Sequence, residues 1–143
     1  MDLEQENRFL RQRLLELNRE AQNNEATLKR FHARELELLT CDSLPELLNS
    51  LTDGMQNSFQ IKSIQLILED SGHEIRHLLD NLGIPETAFP SILFVDDLKQ
   101  ANPRFNHLQS PWLGPFLSPD YNELFRDVRE LRSIAILPIQ RRL

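Results

Sequence analysis

Four small groups of residues have side chains suited to chemistry. His73 and His77 stand four apart, a spacing that places two imidazoles on one helical face, with Glu74 between them. Two such ligands can begin a metal site, and Cys41 or His107 would have to help complete it. On an amphipathic helix the same spacing also describes two solvated surface histidines. No metal is assigned. Asp96 and Asp97 follow an apolar run and could act as paired carboxylates, or simply form the turn that ends a strand. Acid–base work needs a partner in reach and a displaced pKa. Cys41 precedes a helix start, a position that can acidify a thiol, but Asp42 beside it opposes this. It reads as a hinge residue. The fourth group is a Pro-rich loop holding Arg104, Phe105, His107, Trp112 and Phe116. Its rings could line a pocket in which Arg104 meets an anion, or they could cap the core. None of these groups forms a catalytic set, so no catalytic residue is assigned, no cofactor is required, and the chain reads as a non-enzyme.

The elements that would hold these groups begin with one long helix. Leu3, Leu10, Leu17, Asn24, Phe31 and Leu38 recur every seven residues, and Asn7, Leu14, Ala21, Leu28 and Glu35 follow the first five by four. The first set occupies d and the second a in a heptad of about five repeats, which predicts a coiled coil. Neither Gly nor Pro occurs between Met1 and Cys41. The predicted seam comprises Leu3, Leu10, Leu14, Leu17, Ala21, Asn24, Leu28 and Phe31, and its expected partner is a second copy of the chain. Asn7 and Asn24 weaken it while fixing register. Glu6 would face Arg11 of a parallel partner, an attractive pair, whereas Glu20 would face Glu25, a repulsive one. Such a seam suits either a structural stalk or an adjustable signalling joint. The sense of the coiled coil, parallel or antiparallel, stays open.

Residues 1–40 are thus expected to form a dimerisation helix and residues 41–143 a small α+β domain. Ser43-Leu44-Pro45-Glu46 is a capping box that opens a helix running toward Phe59, weakened near Gly54. Ile61–Glu69 reads as a strand. Ser71-Gly72-His73-Glu74 has the form of a second capping box, followed by a helix that stops at Gly83; a hairpin strand over His73–Leu79 competes with it. Ile92–Val95 is a short strand. Gln100–Pro119 reads as an irregular loop, Asp120–Val128 as a short helix, and Ser133–Ile139 as a last strand. That strand has no partner among the predicted elements, so an incomplete sheet, truncated before its last strands, is expected.

The 143 residues carry a net charge of −6, which disfavours nucleic-acid and anionic membrane partners. One cysteine allows no internal disulfide, and the charged start does not read as a signal peptide. No apolar run is long enough to cross a membrane. A cytoplasmic location is expected.

Taken together, Ile64–Asp70, His73–Leu79, Leu113-Gly114-Pro115-Phe116, Leu124-Phe125 and Ser133-Ile134-Ala135-Ile136-Leu137-Pro138-Ile139 resemble a GAF-like family of bacterial proteins long labelled a domain of unknown function. The resemblance covers most of residues 25–143. It implies an antiparallel sheet with flanking helices, and a sensor role either alone or before a GGDEF diguanylate cyclase domain. It also implies a possible small-molecule effector. No GGDEF motif occurs in this chain, and whether one follows Leu143 is left open. The runner-up expectation is a stand-alone scaffold or adaptor.

Overall fold

The computed structural model describes residues 2–102, 105, 108–117, 124–125 and 130–139. The chain divides into two compact units, Met1–Cys41 and Asp42–Leu143.

The first unit is one helix, α1 (Leu3–Leu39), of 37 residues. At 1.5 Å per residue it is about 55 Å long. Asp2 caps it, its carboxylate accepting from the backbone N–H of Glu4 and Gln5 at 2.8 and 2.9 Å. Glu4 and Glu6 add negative charge to the first turn, where the helix dipole is positive. Two i,i+4 pairs join Glu4 to Arg8 at 3.5 Å and Glu25 to Lys29 at 3.0 Å. Both are exposed and add little. The last turn carries no basic residue to offset the dipole there.

The second unit begins with α2 (Leu44–Asn49). Ser43 Oγ accepts from Glu46 N–H at 3.4 Å, and the Glu46 carboxylate reaches back to Asp42 N–H at 3.0 Å. The capping box therefore closes one residue earlier than its usual form. The helix continues as a π-helical turn (Ser50–Gly54) and then α3 (Met55–Phe59). Buried Thr52 bonds its hydroxyl to the Leu48 carbonyl at 3.0 Å, which competes with the regular ladder where the helix widens. Gln60 then turns left-handed at φ 52° and ends it.

The strand expected over Ile61–Glu69 is shorter: β1 is Leu66–Glu69. Its length is set by its partner β2 (Ile92–Val95), which pairs with it residue for residue from Leu66↔Ile92 to Glu69↔Val95. The pairing is parallel, which corrects the expectation of a wholly antiparallel sheet. A parallel pair needs a crossover, and α4 (Glu74–Asn81) supplies it, excluding the hairpin over His73–Leu79. Gly83 at φ 70° lets the chain leave α4, and a 3-10 turn at Glu86–Ala88 leads to β2.

Beyond β2, α5 (Leu98–Ala101) precedes β3 (Trp112–Pro115). β3 corrects the reading of this segment as loop. It also corrects the expectation of an unpartnered last strand, since β4 (Ser133–Ile136) pairs with it antiparallel, Trp112↔Ile136 through Pro115↔Ser133. Pro111, Gly114 and Pro115 give this strand the composition of a loop. Pro115 sits at its end, where a missing donor is tolerated. Gly114 is needed because the Trp112 ring folds over it: a Cβ there would lie 2.5 Å from the ring. The expected helix over Asp120–Val128 falls outside the described residues except for Leu124 and Phe125.

Among the described residues the unit has two apolar clusters. Leu48, Leu79, Phe89, Ile92 and Phe94 form one, with Leu66, Leu68 and Ile75 against it. Leu124 and Ile134 form the other, with Ile67, Phe105, Phe116, Phe125 and Ile136. Alternation along β1 thus sends Leu66 and Leu68 to the first cluster and Ile67 to the second.

Candidate functional site

Two features are candidates for a functional site: an apolar stripe on α1 and a polar node where β1 and β2 end.

The stripe is the predicted seam. Leu10, Leu14, Leu17, Leu28 and Phe31 are each 47–59% exposed, and Leu3, Ala21 and Asn24 are exposed as well. A helix that aligns six large apolar side chains at heptad spacing and leaves them in water has an unburied face. Covering it releases hydration at about 25 cal/mol per Å² of apolar surface.

The node arises from the crossover. In open sheets with parallel strands, polar side chains and ligands collect beyond the carboxyl ends of the strands. Here Asp70 follows β1 and Asp96 follows β2. Asp70 is 5% exposed. Its carboxylate accepts from the backbone N–H of Ile75 at 3.2 Å and of Arg76 at 3.1 Å, so it caps α4. The Ser71 capping box does not form; His73 occupies the position before the helix, in left-handed backbone at φ 54°. Arg76, 15% exposed, donates Nε–H to Asp70 at 3.1 Å and Nη2–H to the Asp70 carbonyl at 2.7 Å. The same Nη2 reaches Asp96 at 2.6 Å, and His73 Nε2 meets the same Asp96 oxygen at 2.8 Å. Burial pushes the Asp70 pKa up, but the N–H donors of Arg76 and Ile75 and the Arg76 guanidinium outweigh this and hold it below 3.8. Asp96 is also lowered, first by its bond from Arg76 and then by that from His73. Arg76 is raised in turn, chiefly by Asp96. The node is a latch: it fastens the start of α4 to the ends of both parallel strands.

The neighbouring carboxylates also serve the backbone. Asp97 accepts from Lys99 N–H at 2.8 Å and Glu69 from Leu98 N–H at 3.0 Å, which caps α5. Asp96 and Asp97 therefore have separate roles rather than acting as a pair. His73 lies outside the helix that carries His77, so the two imidazoles do not share its face. Among the described residues no group of three or more His, Cys, Asp or Glu is arranged to hold a metal. Cys41 is partly buried, its Sγ directed at the Glu37 carbonyl at 3.2 Å.

Of the predicted pocket residues, Phe105 and Phe116 pack into the second apolar cluster, where Phe116 meets Phe125 edge-on at 6.0 Å. Trp112 lies over Gly114. Arg104 and His107 fall outside the described residues. No role is assigned to Asp70 or Arg76 from the sequence alone. The signal that could have found them is an aspartate directly after a strand, six residues before an arginine, with a helix start between.

The sequence model described as a protein of unknown function, DUF484, matches residues 2–143. No curated protein and no solved structure matches the chain. No helix among the described residues is long and apolar enough to cross a membrane.

Proposed function

We propose, for a chain that belongs to the DUF484 family of proteins of unknown function, a non-catalytic regulatory and dimerisation role. Two copies pair through α1, and the GAF-like small domain of each adjusts how they are held. The observation that supports this is the exposed heptad face of Leu10, Leu14, Leu17, Leu28 and Phe31. In this reading the module belongs to a bacterial signalling protein and controls a diguanylate cyclase. That enzyme's active site forms between two facing catalytic domains, so a helix pair setting their separation controls output. The latch of Asp70, Arg76 and Asp96 fits the same reading, because it gives the small domain a fixed frame without a nucleophile.

The experiment is a fusion of this module to a GGDEF cyclase domain, with formation of cyclic di-GMP as readout. Leu14→Asp with Leu17→Asp places charge in the seam of both copies and should lower the rate at least about tenfold, since charges at a and d exclude close pairing. An unchanged rate in the doubly substituted fusion contradicts the regulatory reading.

A further inference from the structure

We propose that two copies of α1 meet in parallel and close over the first half, Leu3 to Leu17, while like charge holds the second half near the point of separation. This rests on the reading of α1 as a dimerisation helix and adds its orientation and the place where it is adjusted.

Orientation follows from what each seam residue would meet. In a parallel pair every seam residue faces its own copy. Leu3, Leu10, Leu14 and Leu17 then form leucine layers, and Asn7 faces the partner's Asn7, amide to amide. In the antiparallel a-to-d register with the longest overlap, Asn7 would face the partner's Leu38, Leu10 the partner's Glu35, and Ala21 the partner's Asn24. Those layers each set a polar group against an apolar one and leave it without a hydrogen-bond partner. Parallel pairing confines the polar positions to three layers.

Charge then separates the halves. In the first, Glu6 faces the partner's Arg11 across the seam. In the second, Glu20 faces the partner's Glu25, whose charge Lys29 of its own helix offsets in part at 3.0 Å, and Glu35 at a faces the partner's Glu35. The last turn of α1 has no basic residue, so the negative end of the helix dipole adds to the repulsion. Leu28 and Phe31 pull this half together against it. The result is a firm first half and a balanced second half, the one that leads into the small domain.

The test uses the full chain and sedimentation equilibrium. Glu35→Leu should tighten the dimer at least about tenfold, because it replaces a like-charge layer by an apolar one. Glu20→Lys turns a repulsive cross pair into an attractive one and should tighten it about two- to fivefold at low salt, with less gain at high salt. Leu3→Cys in a Cys41→Ser chain should give a disulfide-linked dimer on mild oxidation. A dimer whose Leu3→Cys form does not cross-link is antiparallel and overturns the proposal. A dimer whose affinity is indifferent to both Glu35→Leu and Glu20→Lys overturns the balanced second half. A chain that stays monomeric at every concentration overturns instead the dimer reading beneath it, which keeps the two failures apart.

Discussion

Asp70→Ala is expected to lower the stability of the small domain by about 2–4 kcal/mol, the cost of leaving buried donors and a guanidinium without their acceptor. Three hydrogen bonds to the carboxylate disappear at once: those from Ile75 N–H, Arg76 N–H and Arg76 Nε–H. The first two cap α4, and the third holds the arginine that reaches Asp96. The melting temperature should fall by about 10–20 °C for a domain of this size. Asp70→Asn keeps one acceptor oxygen and should lose less. The pH dependence has a definite sign. Asp70 titrates below 3.8 in the folded chain, so its contribution is complete above the unfolded value and disappears as pH falls through the folded one. Asp96, lowered chiefly by Arg76, acts in the same direction. Wild-type stability should therefore drop below about pH 4, and the drop should be smaller in Asp70→Asn. Thermal melts of both proteins between pH 7 and pH 3 measure this; parallel curves contradict the assignment of Asp70 as the cap of α4.

Leu79→Ala carries the other large effect. Leu79 is 0% exposed and sits on α4 between Leu48, Phe89, Ile92 and Phe94. Removing its three outer carbons leaves a cavity in that cluster, and the expected cost is about 3 kcal/mol. Leu78, next along the same helix, is 54% exposed and offers an internal comparison. Leu78→Ala should change stability by less than about 0.5 kcal/mol. Denaturant titration distinguishes the two; equal losses would mean that α4 is turned differently on the sheet.

These two residues also show what was legible in the sequence. Ile75, Leu78, Leu79 and Leu82 recur at helical spacing, which marks a helix. The period could not say that Leu79 would be central and Leu78 peripheral, because that depends on where Ile92 and Phe94 come to lie. The heptads of α1 were legible throughout, since a long uninterrupted repeat needs no distant contact to define it. The Ser43–Glu46 cap was legible for the same reason. The Ser71 cap does not form, because Asp70 lies one residue nearer the strand and, with Arg76, offers the helix a better anchor. The parallel sense of β1 and β2 was hidden, as strand direction is set by the crossover and not by alternation. β3 was hidden by its composition: Gly114 and Pro115 argue for a loop until the Trp112 ring and the β4 ladder are in place. The rings of Phe105 and Phe116 read equally well as pocket or core, and only the positions of Leu124 and Ile134 place them in the second cluster.

The exposed stripe of α1 is the observation from which the functional account grows. Sedimentation equilibrium of the full chain, wild type beside the Leu14→Asp, Leu17→Asp form, tests it most directly. The account predicts a species of twice the 16.8 kDa chain mass for the wild type and a single chain for the substituted form. Identical masses for the two, whether both single or both double, would contradict it.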